Sequence, residues 1–299
     1  MISVVIPTYN AENKKISELI SSIRLQTVTT EIVIIDSKPT EGRNSEITSL
    51  PYVEKLITIN KTEFNHGKTR NLAARATNGE VLIFLTQDVN VYDKHCFETL
   101  IKLLAMPEIA ASYGRQIPSE TAVPTEKFAR LYNYPEEAII KGREQIPAMG
   151  IKTFFFSNVF SAIRRKAFEE IGGFPENVLM FEDMLFAAKL IERGYRIAYV
   201  PEAKVIHSHD YSLVQQFQRY YQAGVSFQRN PWFTPYARSN KEGITFLKEE
   251  IKFLLNQKKY LWVFYAILEA LCKYAGYELG LNNNKFPHFF NKGAISQNG

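Results

Sequence analysis

The chain has 299 residues, of which 45% are hydrophobic, 13% aromatic and 22% charged. This composition excludes intrinsic disorder and collagen-like repeats, and two cysteines are too few to form a disulfide scaffold. The formal net charge is +5, and it is concentrated in residues 213–299, where 11 Lys and Arg outnumber 5 Asp and Glu.

Four short apolar runs alternate with helical patterns in the first third of the chain. The runs occupy residues 2–7, 31–36, 53–59 and 80–86. Each is almost continuously apolar, which predicts buried parallel strands with both faces covered. Apolar residues at helical spacing, such as Ile16, Leu19 and Ile23, lie between them. The alternation predicts an open, doubly wound α/β sheet that binds ligands at the carboxyl ends of its strands.

The rest of the chain is expected to extend this sheet and then to become helical. Strands are predicted at residues 110–116, 159–164 and 196–200, and helices at 94–104 and 183–193. From Ser212 onward the apolar spacing is helical. We therefore predict an α/β domain over residues 1–211 and a helical C-terminal region over residues 212–299.

Polar residues mark the ends of the first two predicted strands. Thr8 and Tyr9 follow the first strand, and Asp36 ends the second. An acid at such a position can accept a hydrogen bond from a nucleotide base or ribose, since ligands of these sheets bind at strand ends. The alternative is a structural role within the local chain, because Thr and Asp at strand ends also cap helices and stabilise turns.

Gln87 and Asp88 follow the strongly apolar run 80–86. A carboxylate beside a diphosphate can bind Mg²⁺ or Mn²⁺, because such ions complete their coordination with phosphate oxygens and water. An ordinary turn aspartate explains Asp88 equally well.

The segment EFNHGKTRN, residues 63–71, precedes a predicted helix and is rich in polar groups. It includes His66, Lys68 and Arg70. Backbone N–H groups and cations at a helix N-terminus favour a bound anion. The alternative is a helix start with incidental basic residues.

Glu182 and Asp183 begin the helix predicted at 183–193, and His207 and His209 follow the next strand. A carboxylate near a bound sugar can take a proton from an incoming hydroxyl, and an imidazole can complete a metal site. Acids also stabilise the N-terminus of a helix, so capping alone explains the pair as well.

Together these segments resemble the family 2 glycosyltransferases, which are inverting enzymes with a GT-A fold. The resemblance covers about residues 1–210 and rests on VVIPTYN, VIIDSKPTEG, FLTQD and FEDMLFAAKLIERGYRIAYVPEAKVIH. EFNHGKTRN followed by FLTQD more narrowly resembles the bacterial rhamnosyltransferases that use dTDP-L-rhamnose. The implied fold is a GT-A type, Rossmann-like nucleotide-sugar-binding domain with a mostly parallel central sheet, followed by a helical C-terminal region.

The resemblance also implies roles for individual residues. The implied donor-binding residues are Thr8, Tyr9, Asp36, His66, Arg70 and Gln87. Thr8 and Tyr9 would line the base pocket, Asp36 would hold the pyrimidine ring, and Arg70 would lie near the diphosphate. Where the family more often has Asp in DSxSTDG, this chain has Glu41.

For catalysis, the resemblance places Asp183 at the position of the general base. Asp88 corresponds to the last acid of the Asp-x-Asp metal motif, whose first acid is replaced here by Thr86. His207 corresponds to a third metal contact, and the implied cofactor is Mg²⁺ or Mn²⁺.

The expected function is inverting transfer of L-rhamnose from dTDP-β-L-rhamnose to a hydroxyl of a saccharide or lipid-linked saccharide acceptor, in bacterial cell-surface polysaccharide synthesis. The alternatives are a family 2 transferase that uses a UDP-hexose and an inactive nucleotide-sugar-binding regulatory protein. A Rossmann dehydrogenase is excluded because PTYNAEN contains no glycine. No recognised motif supports nucleic-acid binding.

The basic, aromatic-rich C-terminal region suggests a further partner. Its most apolar stretch, residues 260–275, is shorter than the roughly 20 residues that span a bilayer. Cationic and aromatic residues suit an anionic membrane surface, whereas Leu261, Phe264, Leu268 and Leu271 would serve a homodimer equally well. The N-terminal apolar run is too short for a signal-peptide core, so we expect a cytoplasmic protein, peripheral on the inner face of the cell membrane if the tail binds lipid.

Overall fold

The computed structural model describes residues 1–37, 53–237 and 241–285. These residues form two compact units. The first unit comprises Met1–Ile117, Tyr134–Glu176 and Glu182–His207, and the second comprises Pro118–Asn133, Asn177–Phe181 and the chain from Ser208 onward. The predicted division between residues 211 and 212 stays a prediction, and two earlier segments of the chain belong to the second unit.

Within the described residues, nine strands form one sheet, and all of them belong to the first unit. They are β1 (Ile2–Thr8), β2 (Thr30–Asp36), β3 (Lys55–Thr58), β4 (Val81–Leu85), β5 (Asn90–Val91), β6 (Ile109–Ile117), β7 (Ile139–Lys141), β8 (Phe160–Arg164) and β9 (Arg196–Ile206). The strand order is β3-β2-β1-β4-β8-β6-β9-β5, and β7 also pairs with β9. Strands β1 to β4 pair in parallel, and β8 runs antiparallel between β4 and β6.

The helices of the described residues alternate with these strands and then dominate the end of the chain. They are α1 (Asn13–Arg24), α2 (His66–Arg75), α3 (Cys96–Ile101), α4 (Pro124–Asn133), α5 (Ile146–Met149), α6 (Arg165–Glu170), α7 (Glu182–Glu192), α8 (Leu213–Gln228), α9 (Thr234–Ala237), α10 (Lys241–Asn256) and α11 (Tyr260–Leu281). The predicted α/β fold and helical C-terminal region are confirmed.

The apolar runs form the centre of the sheet, with one exception. Val4, Ile34 and Phe84 on β1, β2 and β4 are fully buried, as the continuous apolar pattern predicts. β3 is the edge strand, and its Leu56 and Ile57 are only half-buried. The expectation of burial on both faces is therefore wrong for β3, which pairs with β2 alone among the described strands.

A β-bulge between β6 and β9 positions residues of the candidate site. Gly114 lies opposite Val200, whereas the next residue, Arg115, lies opposite Lys204. A Cβ on Gly114 would lie 2.6 Å from the carbonyl oxygen of Ala203, so the close approach requires glycine. β9 consequently continues beyond its predicted end at residue 200 and runs alongside the end of β6.

The second unit is built on close packing between α8 and α11. Added Cβ atoms on Gly276 and Gly280 would lie 2.3 and 2.2 Å from carbonyl oxygens of α8, and one on Gly224 would lie 2.3 Å from a carbonyl oxygen of α11. The two backbones therefore touch where these glycines meet.

The opposite side of α11 carries an apolar stripe, defined as Leu261, Phe264, Leu268 and Leu271. Their exposed fractions are 84%, 69%, 52% and 59%. On the buried side, Lys273 Nζ lies 2.5 Å from Glu269 Oε1, so two of the charges in this helix neutralise each other within the unit. No helix of the described segments combines the length and apolarity needed to cross a membrane.

Candidate active site

The ends of β1 and β2 bring Thr8 and Asp36 together, as the parallel-sheet prediction requires. The two residues are opposite each other in the strand register. Thr8 Oγ1 donates to Asp36 Oδ1 over 3.0 Å, and Ser37 Oγ donates to the Thr8 carbonyl oxygen over 3.0 Å. Thr8 and Asp36 are 1% and 0% exposed, so a carboxylate is held in a polar, buried position at the strand ends. Glu41, in the segment that follows, lies outside the described residues.

Gln87 holds the backbone of Tyr9. The Tyr9 N–H donates to Gln87 Oε1 over 2.8 Å, and Gln87 Nε2 donates to the Tyr9 carbonyl oxygen over 3.1 Å. The Lys61 ammonium lies 5.3 Å from the centroid of the Tyr9 ring. The Gln87 amide thus fixes the position of the residue predicted to line the base pocket, and sequence spacing alone gave no indication of this link.

The polar segment before β4 forms the start of α2. Asn65 is the N-cap, and its side-chain oxygen accepts from the Lys68 N–H over 2.9 Å. A Cβ on Gly67 would lie 2.1 Å from the Pro175 carbonyl oxygen, so glycine permits this helix to touch the loop before α7. The segment is therefore a capped helix start, and the anion site predicted there stays a prediction.

Arg70 is buried and paired with an acid. Its guanidinium lies 3.1 Å from Glu182 Oε1 and donates to the His66 carbonyl oxygen over 3.1 Å. Arg70 and Glu182 are 6% and 5% exposed. Arg70, which the resemblance places near a diphosphate, is therefore paired with Glu182, the neighbour of Asp183. The predicted contact of Arg70 with the diphosphate stays a prediction.

Asp183 is held at the first turn of α7 by backbone donors. Its carboxylate accepts from the Met184 N–H over 2.8 Å and from the Asn158 N–H over 3.2 Å. Burial and then the neighbouring charge of Glu182 raise the pKa of Asp183 to about 7. A half-buried carboxyl with a pKa near neutrality is suited to general acid–base catalysis.

Asp88 and His207 meet where β4 and β9 end. His207 Nε2 lies 3.4 Å from Asp88 Oδ2, and the side chains are 4% and 34% exposed, respectively. The His207 N–H donates to the Ile117 carbonyl oxygen over 3.0 Å, which fixes the residue alongside β6. His209 follows two residues later in the chain and belongs to the second unit. The structure therefore brings together two residues that the sequence analysis assigned to a metal site.

Two features of the site were missed by the sequence analysis. Gln116 contacts His207, with its Oε1 2.9 Å from His207 Nδ1. Its only sequence signal is an amide, next to Arg115, at the end of a mainly apolar strand. The pairing of Arg70 with Glu182 was also missed, because no local spacing connects α2 to α7.

Polar residues lie at the carboxyl ends of β1, β2 and β4, and an acid lies at the start of α7, as the resemblance to family 2 glycosyltransferases implies. The chain belongs to glycosyl transferase family 2, whose family model matches residues 3–172. The predicted family is thereby confirmed, and the chain is a glycosyltransferase.

Two relatives are similar over almost their full length. O-antigen chain rhamnosyltransferase WbaN of Salmonella anatum is 40% identical over 288 residues, which cover 95% of this chain and 90% of the relative. O-antigen chain rhamnosyltransferase RfbN of Salmonella typhimurium is 40% identical over 292 residues, with 96% and 91% covered.

Solved structures share the fold at lower identity. The mannosyltransferase PcManGT of Pyrobaculum calidifontis, solved in complex with GDP-Man and Mn²⁺, has a TM-score of 0.58 and 20% identity, and the match covers 91% of this chain and 86% of that one. S. aureus TarS in complex with UDP-GlcNAc has a TM-score of 0.55 and 16% identity, with 97% and 93% covered. These similarities confirm the GT-A fold.

Proposed function

We propose that this chain transfers L-rhamnose from dTDP-β-L-rhamnose, with inversion, to a hydroxyl of a saccharide or lipid-linked saccharide acceptor in bacterial cell-surface polysaccharide synthesis. The observation that carries the proposal is 40% identity, over nearly the whole chain, to two proteins named O-antigen chain rhamnosyltransferases. In this proposal Asp183 is the general base, and Asp88 and His207 hold a divalent cation.

Asp183 is the proposed general base. In its ionised form it takes the proton of the acceptor hydroxyl as that oxygen attacks the anomeric carbon, and a single displacement inverts the anomeric centre. The pKa of about 7 makes Asp183 a stronger base than an ordinary aspartate and leaves a substantial fraction ionised at neutral pH. The backbone donors at Met184 and Asn158 hold the carboxylate in place.

Asp88 and His207 would hold a divalent cation. A carboxylate oxygen and an imidazole nitrogen that face each other over 3.4 Å are a donor set compatible with Mg²⁺ or Mn²⁺. A bound cation would neutralise the negative charge that develops on the leaving nucleoside diphosphate.

Thr8, Tyr9 and Asp36 form the proposed base-binding end of the donor site. The Asp36 carboxylate, which is buried and accepts from Thr8 Oγ1, is the proposed acceptor for a pyrimidine N–H, and Gln87 fixes the backbone of Tyr9. Arg70, which pairs with Glu182, is the proposed cation near the diphosphate. His66 is the candidate contact for the sugar hydroxyls.

A donor screen tests this proposal. Release of nucleoside diphosphate should be fastest with dTDP-β-L-rhamnose, compared with dTDP-glucose, UDP-glucose, UDP-N-acetylglucosamine and GDP-mannose, when a panel of aryl glycosides serves as acceptors. Asp183→Asn is the matched inactive control. Equal turnover of a UDP-hexose would overturn the rhamnose assignment, and tight donor binding without turnover of any donor would favour a regulatory protein.

We also propose that the apolar stripe of α11 contacts an anionic membrane surface. The four stripe residues are more than half exposed, and residues 213–299 carry 11 Lys and Arg against 5 Asp and Glu. Apolar side chains that enter the interface and cations that attract anionic lipids are the two components of peripheral membrane binding. Such a location would bring the enzyme to lipid-linked acceptors.

A further inference from the structure

We infer that Gln116 is a positioning residue for the proposed metal site, because it orients the His207 ring so that Nε2 faces Asp88. The inference rests on the proposed function, in which His207 is a metal ligand. Gln116 itself is not proposed to contact the metal or the substrate.

The backbone first places the two residues side by side. β6 and β9 pair in parallel after the bulge, with Gln116 opposite Val205, and the His207 N–H continues this ladder to the Ile117 carbonyl oxygen. The position of His207 along β6 is therefore set by main-chain hydrogen bonds, and only the rotation and protonation of its ring are left to side chains.

The side-chain amide of Gln116 is held in one orientation. Its Nε2 donates to the Tyr134 hydroxyl and to Ser157 Oγ, the latter over 3.0 Å. Its Oε1 is thereby turned toward His207 Nδ1, 2.9 Å away. Gln116, Tyr134, Ser157 and His207 are 1%, 4%, 8% and 5% exposed. Water therefore has little access to replace any of these contacts.

An amide oxygen accepts hydrogen bonds and cannot donate them, so the nitrogen that faces it must carry the proton. Nδ1 of His207 is then the protonated nitrogen, and in the neutral ring Nε2 keeps its lone pair. Nε2 is the ring nitrogen that faces Asp88, 3.4 Å from its Oδ2. A histidine ligand typically donates its other N–H to a second group such as the Gln116 amide, which leaves Nε2 to bind the cation.

A purely structural role for Gln116 would have different consequences. If the amide only satisfied a buried imidazole, its loss would lower stability without any specific effect on cation binding. Ser112 provides the matched control, because it is fully buried on the same strand and donates to the Leu100 carbonyl oxygen, away from His207. Ser112→Ala removes a buried hydrogen bond of β6 but leaves the ring of His207 unchanged.

The test compares Gln116→Leu, Gln116→Glu and Ser112→Ala with the parent protein. Mn²⁺ affinity is measured by electron paramagnetic resonance in the presence of dTDP, and the protonated ring nitrogen of His207 is identified from ¹⁵N shifts in the metal-free protein. We expect Gln116→Leu to weaken Mn²⁺ binding by about 10- to 100-fold, as loss of a ligand's hydrogen-bond partner typically does. Gln116→Glu retains an acceptor for Nδ1–H and should stay close to the parent, as should Ser112→Ala.

The outcomes separate this inference from the proposed function. A folded Gln116→Leu protein that binds Mn²⁺ as tightly as the parent overturns the inference alone, provided that His207→Ala weakens binding. If the parent does not bind Mn²⁺, or if His207→Ala has no effect, the metal site and the inference both fail. If Gln116→Leu does not fold, the ¹⁵N shifts of the metal-free parent protein provide the test. A His207 ring protonated only on Nε2 would contradict the inference.

Discussion

Two adjacent carboxyl groups at the start of α7 have opposite electrostatic environments. Burial raises the pKa of Glu182, but the charges of Arg70 and His66 outweigh it and leave that pKa below its ordinary value. Burial and the charge of Glu182 raise the pKa of Asp183 to about 7. Carboxyl pairs whose pKa values are driven apart are a common way to separate a fixed charge from a group that exchanges protons.

Replacement of Asp183 by Asn should therefore abolish the base while preserving the shape of the site. We expect kcat to fall by about 10²- to 10⁴-fold, the usual contribution of a general base, with donor affinity nearly unchanged. Glu182→Gln should have a smaller effect on kcat, because it leaves Asp183 in place. The assignment is wrong if Glu182→Gln is the more damaging of the two in steady-state assays with folded protein.

The pH dependence of turnover gives an independent check on the same pair. Protonated Asp183 cannot accept a proton, so kcat should rise with pH through about 7 and then level off. Glu182→Gln removes the like charge that raises this pKa, and the rising limb should move to lower pH. The account fails if Asp183→Asn retains the same rising limb, since another group would then be responsible.

The sequence predicted those contacts of the site that follow from strand order. Thr8 and Asp36 end neighbouring parallel strands, so their contact follows from the topology alone. The contact between Gln87 and the Tyr9 backbone depends on the path of the chain beyond two strands, which no local pattern encodes. The pairing of Arg70 with Glu182 depends on how α2 packs against α7, and it was missed for the same reason.

At the level of elements, continuous apolar runs predicted strands well, but pattern alone could not place them in the sheet. The run at 53–59 looks like the other three, yet β3 is an edge strand. The extension of β9 past residue 200 depends on a bulge opposite Gly114, which a propensity argument does not anticipate. Glu269 and Lys273, two charged residues within the apolar stretch 260–275, form an ion pair on the buried side of α11.

The helical unit should be sensitive to any side chain at the contact between α8 and α11. A Cβ at Gly276 would lie 2.3 Å from the Phe217 carbonyl oxygen, so the backbones would have to separate. We expect Gly276→Ala to lower the free energy of unfolding by about 1–3 kcal/mol, the usual cost of overpacking. Thermal or urea unfolding followed by circular dichroism measures the change.

Gly243 is the matched control for this substitution. It lies in α10, and an added Cβ would meet nothing within 4 Å. Gly243→Ala should be neutral or stabilising by up to about 1 kcal/mol, because alanine has the higher helix propensity. Equal effects of the two substitutions would show that the glycine contact does not hold these helices together.

For the whole molecule, membrane binding should depend on the apolar stripe and on charge. Phe264→Gln together with Leu268→Gln should weaken co-sedimentation with phosphatidylglycerol-containing vesicles by at least about tenfold, since each fully buried side chain contributes about 1.5–3 kcal/mol. Salt should weaken binding further, and vesicles of phosphatidylcholine alone should bind poorly.

Ile244→Gln is the control for this experiment, because Ile244 is 55% exposed on α10 and lies outside the stripe. It should leave vesicle binding unchanged. The parent protein could instead fail to bind anionic vesicles and form a dimer that is lost in the double variant. That result would show that the stripe serves self-association. Sedimentation velocity on the same proteins distinguishes these outcomes.

The central claim is that the enzyme transfers rhamnose in a single inverting displacement with Asp183 as base. The most direct test is the anomeric configuration of the product formed from dTDP-β-L-rhamnose on the best acceptor of the panel, determined by NMR from the one-bond carbon–proton coupling of the new glycoside. The account predicts an α-L-rhamnoside and its loss in Asp183→Asn. A β-L-rhamnoside, or undiminished α-product in that variant, would contradict it.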